Sequence, residues 1–185
     1  MTTLPFDIAV IHFIQSFQTD WLTSIMRGIS NIGSIYGYLL IVPIVAGFLY
    51  FRTPYRFEGI FSILINLGII FDPIIKCMVG RERPTDSVVS VLAQETSASF
   101  PSGHALSATI FYGFLLYLII SLLVKHKRVW VFILISTILL IGVSRIYLGV
   151  HWPSDVLGGY VIGAIWLTFG IYIYKKLRGR LVKSI

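Results

Sequence analysis

Two histidines, three cations and one carboxylate stand at spacings that suit phosphoryl transfer. Lys76 is followed after six residues by Arg83-Pro84, then comes Pro101-Ser102-Gly103-His104, and Ser144-Arg145 is followed after five residues by His151 and after three more by Asp155. A phosphate can accept hydrogen bonds from Lys76, Arg83 and Arg145 at once, the arginines in bidentate fashion. Pro101 to His104 opens an apolar helical run, and a helix N-terminus aims free backbone N–H groups and a positive dipole outward, which makes a second anion site. Gly103 would let the backbone approach the anion closely, and the Ser102 hydroxyl could donate as well. Two histidines fit a transfer that uses no metal and no cofactor: one attacks phosphorus in line and the other protonates the departing oxygen. Asp155 can hold the far ring nitrogen of whichever histidine it touches, fixing the tautomer and stabilising charge on a phosphorylated ring. His151 is the nearer in sequence and is expected as nucleophile. His104 is left as general acid, then as base for the water that hydrolyses the phosphohistidine.

Such residues need elements that gather them, and the composition names the medium. The chain has 185 residues, 56% of them hydrophobic and 12% charged, which is far more apolar than a soluble domain of that size. Apolar runs cover Ser34–Phe51, Phe57–Ile75, Ala105–Val124, Val129–Val143 and Val156–Tyr174. Most approach the roughly 20 residues that cross a bilayer core. The expected fold is an all-α polytopic membrane bundle of five or six transmembrane helices, forming a single membrane-embedded domain over residues 1–185. Twenty residues separate His104 from Lys125, about 30 Å of helix, so His104 and the basic loop must lie at opposite interfaces. The chemistry-bearing residues therefore share one membrane face. Cations buried there are tolerated when they have an anionic partner. Asp72 and Asp155 supply at most two of the charges needed, and a phosphate would supply the rest.

Charge placement gives an orientation. Alternate loops put Arg52, Arg56, Lys125, Lys127, Arg128, Lys175, Lys176, Arg178, Arg180 and Lys183 on one side with one acid, Glu58, and five cations with seven acids on the other. By the positive-inside rule the first side is cytoplasmic, and the motifs face away from it. The net charge of +7 is thus explained by topology and anionic lipid head groups, not by nucleic acid. The expected location is the cell (inner) membrane. No charged leader with a small-residue cleavage site opens the chain, so no removed signal peptide is expected. Residues 1–33 allow two readings. Trp21, Leu22, Ile25, Met26 and Ile29 fall on one helical face, which suits a helix in the interface, or residues 5–31 bend through the membrane as a sixth span. The interfacial reading is slightly favoured. Val79 to Ser102 is a long loop on the motif side, and a loop of that length is usually functional. Gly158, Gly159 and Gly163 give the last helix a small-residue face for close packing. The lone Cys77 is read as packing.

At this point the chain resembles the type 2 phosphatidic-acid phosphatase superfamily of integral membrane lipid phosphatases, related to the vanadium haloperoxidases. Its three signatures are each met, between residues 76 and 155 and in the right order. The resemblance implies a helical core without divalent metal and a phosphorylated lipid as substrate. It further implies His151 as nucleophile, His104 as acid, and Lys76, Arg83, Ser102, Gly103 and Arg145 as phosphate ligands. Candidate lipids are phosphatidylglycerophosphate, phosphatidic acid, undecaprenyl pyrophosphate and the lipid A phosphate, with a glycerophospholipid monophosphate favoured. Other readings compete. Lys76 could simply pair with Asp72 one helical turn before it. A zinc site from His104, His151 and Asp155 would be repelled by three nearby cations. An anion-selective helical transporter has no need of an oriented nucleophile, and a soluble haloperoxidase fits these spans badly. Arg81, Glu82, Asp86 and Glu95 could contact a head group, but a solvated loop explains them equally well. His12 and His126 carry no partner pattern.

Overall fold

The computed structural model describes residues 4–122 and 125–183. All its regular elements among those residues are helical: α1 Pro5–Gln15, α2 Asp20–Ile32, α3 Ile35–Arg52, α4 Arg56–Leu64, α5 Phe71–Val79, α6 Gly103–Ser121, α7 Lys127–Tyr147 and α8 Pro153–Lys183, with a 3₁₀ turn at Ile65–Ile70. Five stretches are long and apolar enough to cross a membrane, namely Ile35–Arg52, Arg56–Val79, Gly103–Ser121, Lys127–Tyr147 and Pro153–Arg180. They match the five expected runs; the end of the third, at Val124, lies outside the described residues.

The second span is not one helix. Pro73 has no N–H to offer the preceding turn, and the Trp166 indole donates to the Ile65 carbonyl at 2.7 Å, drawing it out of the helical ladder. The chain runs as α4, the 3₁₀ turn and α5, and α5 ends at Gly80 in the left-handed conformation (φ 59°).

The central element is α6. Ala105, Leu106, Ala108, Ile110, Phe111, Phe114 and Leu118 are buried along it, against α7 on one side and α8 and the 3₁₀ turn on the other. Helix α8 approaches because its glycines leave room. A Cβ on Gly159 would stand 2.6 Å from the Ser102 carbonyl oxygen, and one on Gly163 2.8 Å from that of Leu106. The small-residue face expected there is the contact itself. The outward surface is as apolar as the core. Leu39, Leu40, Ile44, Phe51, Leu67, Phe132 and Ile165 are all exposed, as suits a bundle solvated by lipid.

Residues 5–32 form two helices, neither long enough alone to span. Thr23 of α2 meets Tyr147, Ser30 meets Arg145, and Gly33 just beyond meets Ile141. Helix α2 thus packs against the last turns of α7. The expected apolar face divides: Leu22, Met26 and Ile29 pack inward, while Trp21 and Ile25 face out. Between α5 and α6 the long loop folds back over the same end. Its Leu92 N–H donates to the Leu148 carbonyl, and Gln15 of α1 donates to the Ser90 carbonyl.

Candidate active site

A cavity of about 770 Å³ opens at the end of the bundle covered by α2 and the long loop. Six of the eight residues expected at the site line it: Lys76, Arg83, Gly103, His104, Arg145 and His151. Lys76 is carried by the last turns of α5, His104 by the first turn of α6, Arg145 by the last turn of α7, and His151 by the short link to α8. Ser102 and Asp155 stand behind the wall, both fully buried.

The cations are held by carbonyls and carboxylates. Arg83 Nε donates to the Ser97 carbonyl (2.7 Å) and Nη1 to the Val150 carbonyl (2.5 Å). Its Nη1 also stands 3.2 Å from His151 Nε2. A guanidinium can only donate, so that contact leaves the lone pair on Nε2 and the ring proton on Nδ1. Arg145 donates to the Ser30 hydroxyl at 2.6 Å and to the Glu95 carboxylate. Lys76 pairs with Asp72 at 2.9 Å, as the one-turn spacing allowed.

Helix α6 begins at this cavity. The first N–H to close a helical bond is that of Leu106, on the Ser102 carbonyl, so the amides of Gly103 to Ala105 lie at the open end, while the Ser102 N–H donates to the Asp155 carbonyl at 3.0 Å. The Ser102 hydroxyl makes no hydrogen bond. Gly103 has a second reason to lack a side chain, beyond the one expected: a Cβ there would stand 2.9 Å from Asp72 Oδ1. A carboxylate already sits against this N-terminus.

Three expectations need correction. Glu95 is not simply a solvated loop residue: it bonds Arg145 and lies 3.9 Å from Arg83, where the charge count had left room only for an outside anion. Arg81 is buried, not solvated, with Nη1 2.5 Å from Asp155 Oδ1 and Nη2 2.7 Å from Asp7 Oδ2. Asp155 is correspondingly less free than expected. Its Oδ2 accepts from the Ser99 hydroxyl (2.5 Å) and the Trp152 N–H (2.9 Å), and His151 Nδ1 stands 3.6 Å away, beyond hydrogen-bond distance. The physical reason is common to all three: the loop folds back over the site and brings in partners that the linear charge pattern assigns to water. His12 also has a partner, the Val88 carbonyl at 2.8 Å from its Nε2.

Burial pushes the His151 pKa down to about 4; the pull of Asp155 opposes this, while Arg83 and Arg145 act in the same direction as burial. Among the described residues no three His, Cys, Asp or Glu side chains converge as a metal-binding group. The arrangement offers a buried ring nitrogen beside two guanidinium groups, with a second histidine lining the same cavity.

A bundle of this kind, with two histidines and a cationic cradle at one end, defines a membrane phosphatase. The PAP2 superfamily model matches residues 58–178, and the chain belongs to that superfamily. It is 36% identical over 151 residues to phosphatidylglycerophosphatase B of Bacillus subtilis, covering 78% of this chain and 71% of that one. It is 28% identical over 169 residues to an undecaprenyl-diphosphatase of Sulfolobus acidocaldarius, covering 90% and 77%. The crystal structure of a transmembrane PAP2 type phosphatidylglycerolphosphate phosphatase from Bacillus subtilis superposes with a TM-score of 0.82 at 29% identity, over 92% of this chain and 85% of that one.

Proposed function

We propose that the helices act as one membrane-embedded domain that hydrolyses the phosphate of a lipid through a phosphohistidine, without a metal. The observation that carries this reading is the convergence of Lys76, Arg83, Arg145, His104 and His151 on one cavity. The phosphate takes the place of the Glu95 carboxylate between Arg83 and Arg145, with Lys76, the Gly103 amide and the Ser102 hydroxyl as further donors. His151 Nε2 attacks phosphorus; the N–P bond forms as the P–O bond to the lipid breaks, and His104 gives its proton to the departing oxygen. Water then attacks phosphorus, His104 takes its proton, and cleavage of N–P releases inorganic phosphate and restores His151. Asp155 stabilises the charged ring between the two steps.

A glycerophospholipid monophosphate, phosphatidylglycerophosphate or phosphatidic acid, is the favoured substrate. Its support is the 36% identity to a protein named phosphatidylglycerophosphatase B. The undecaprenyl-diphosphatase relative keeps an isoprenoid pyrophosphate as the second reading. The loop charges support a site on the non-cytoplasmic face of the cell (inner) membrane, and the shortness of α1 and α2, 11 and 13 residues, supports a helix in the interface plane.

The test is phosphate release from a panel of lipid monophosphates and pyrophosphates, in detergent with EDTA. The wild type is expected to be active, with a glycerophospholipid monophosphate the best substrate, and His151→Ala inactive. Activity lost to EDTA would remove the metal-free mechanism, and turnover by His151→Ala would remove the nucleophile. Release from no lipid would favour the anion transporter.

A further inference from the structure

Behind the cavity lies a charge chain of which the mechanism above uses only Asp155. Asp155 is fully buried, and both its oxygens are engaged before His151 is counted, Oδ1 by Arg81 and Oδ2 by Ser99 and Trp152. Arg81 is itself buried, with its guanidinium 5.9 Å from the Trp152 ring centre. Its other prong meets Asp7 of α1, also fully buried. Asp7 accepts from the Ser154 N–H at 2.8 Å and the Ser154 hydroxyl at 2.7 Å, in the first turn of α8 next to Asp155.

The second carboxylate decides what the arginine does. Arg81 paired with Asp155 alone would form a neutral pair, and a phosphorylated, positively charged His151 ring would face little compensating charge. Two carboxylates on one guanidinium leave the set with one net negative charge. We propose that Asp7 and Arg81 are positioning residues for phosphoryl transfer: Arg81 fixes the Asp155 carboxylate behind His151, and Asp7 restores the negative charge that Arg81 would cancel. This rests on the reading of His151 as nucleophile. It gives the N-terminal helix α1 a part in the chemistry, since Asp7 reaches the site across 74 residues to Arg81 and 147 to Ser154.

The experiment compares kcat and KM on phosphatidic acid for the full chain in detergent, per folded protein as measured by size exclusion and thermal unfolding. The variants are Asp7→Asn, Asp7→Asn/Arg81→Gln, Arg81→Lys and His151→Ala. Asp7→Asn keeps the shape and can still accept from Ser154. It is expected to lower kcat about 10- to 100-fold, the range seen when an outer partner of an essential group is lost, with KM within about twofold. The double variant returns the set to one negative charge and is expected to recover part of that kcat, which a packing role would not do. Should it fail to fold, Arg81→Lys decides, since it keeps the charge of the set and is expected to lose less kcat than Asp7→Asn, although a lysine cannot bridge both carboxylates as the guanidinium does. Wild-type kcat in Asp7→Asn overturns the proposal. So does a loss carried by KM alone, or a double variant (or Arg81→Lys, where that one decides) no better than Asp7→Asn. If His151→Ala still turns over, it is the nucleophile reading that fails. If His151→Ala is dead and Asp7→Asn is fully active, only the present inference fails.

Discussion

At His151 the surroundings favour the protonation state that the proposed in-line attack would need. With its pKa pushed down to about 4 by burial, the ring is neutral at every pH above that value, and Nε2 keeps its lone pair. A phosphate in the cradle adds negative charge beside the ring, which favours the protonated form, so binding must move the pKa upward. In a histidine NMR titration, the resonance missing from His151→Gln is expected to titrate near 4 in the free protein and higher with inorganic phosphate bound. A free-protein midpoint near the ordinary value of about 6.5 would mean that solvent reaches the ring and would remove this account. The convergence of Lys76, Arg83, His104, Arg145 and His151 on one cavity was legible before the fold, because their motifs fall at one end of the predicted helices. Residues that only hold those groups were not. Glu95, Arg81 and Asp7 belong to no local pattern: Glu95 meets Arg145 across 50 residues, and Asp7 meets Arg81 across 74. The one available signal was position, with Arg81 inside the Lys76 to Arg83 motif and Glu95 nine residues before His104.

Among the elements, the seam between α6 and α8 fixes the distance between the two histidines, since His104 opens one helix and His151 immediately precedes the other. The glycine pattern made that seam readable, because a run of small residues on an apolar helix has one common use. The break in the second span was only half readable. Pro73 signalled a kink, but the Trp166 indole that captures the Ile65 carbonyl lies 101 residues away. At Gly163 an added methyl would meet the Leu106 carbonyl oxygen and Thr109 Cβ, each at 2.8 Å, both fixed parts of a neighbouring helix. Gly163→Ala is expected to destabilise the fold by about 1–3 kcal/mol, the usual range for overpacking, and to lower the thermal midpoint in detergent. Gly179→Ala, on the same helix with nothing within 4 Å, is the control and should leave that midpoint unchanged or slightly raised. Equal midpoints for the two variants would mean that α8 can move off α6 freely, and the seam would not be what sets the histidine spacing.

For the whole molecule, the apolar belt defines a membrane-embedded protein, and the uneven loop charges are the ground for the proposed orientation. The ends of the spans differ sharply: ten cations and one acid belong to one side, five cations and seven acids to the other. In the orientation proposed from the loop charges the cavity faces outward, and a lipid's phosphate would reach Arg83 and Arg145 while its chains remain among the exposed apolar side chains of α3 and α5. The prediction is a topology that can be read by chemistry on intact cells. Cys77, the chain's one cysteine, is first replaced by serine, and single cysteines are introduced at Ser87 in the long loop and at Lys176 in the basic tail, both exposed positions. A membrane-impermeant maleimide is expected to label Ser87→Cys in intact cells and Lys176→Cys only after permeabilisation. The reverse pattern would put the cavity on the cytoplasmic face, and the loop charges would then have to be explained by contacts within the protein. Labelling of both sites in intact cells would mean that the chain inserts in two orientations, and that ten cations against five is too small a bias to choose between them.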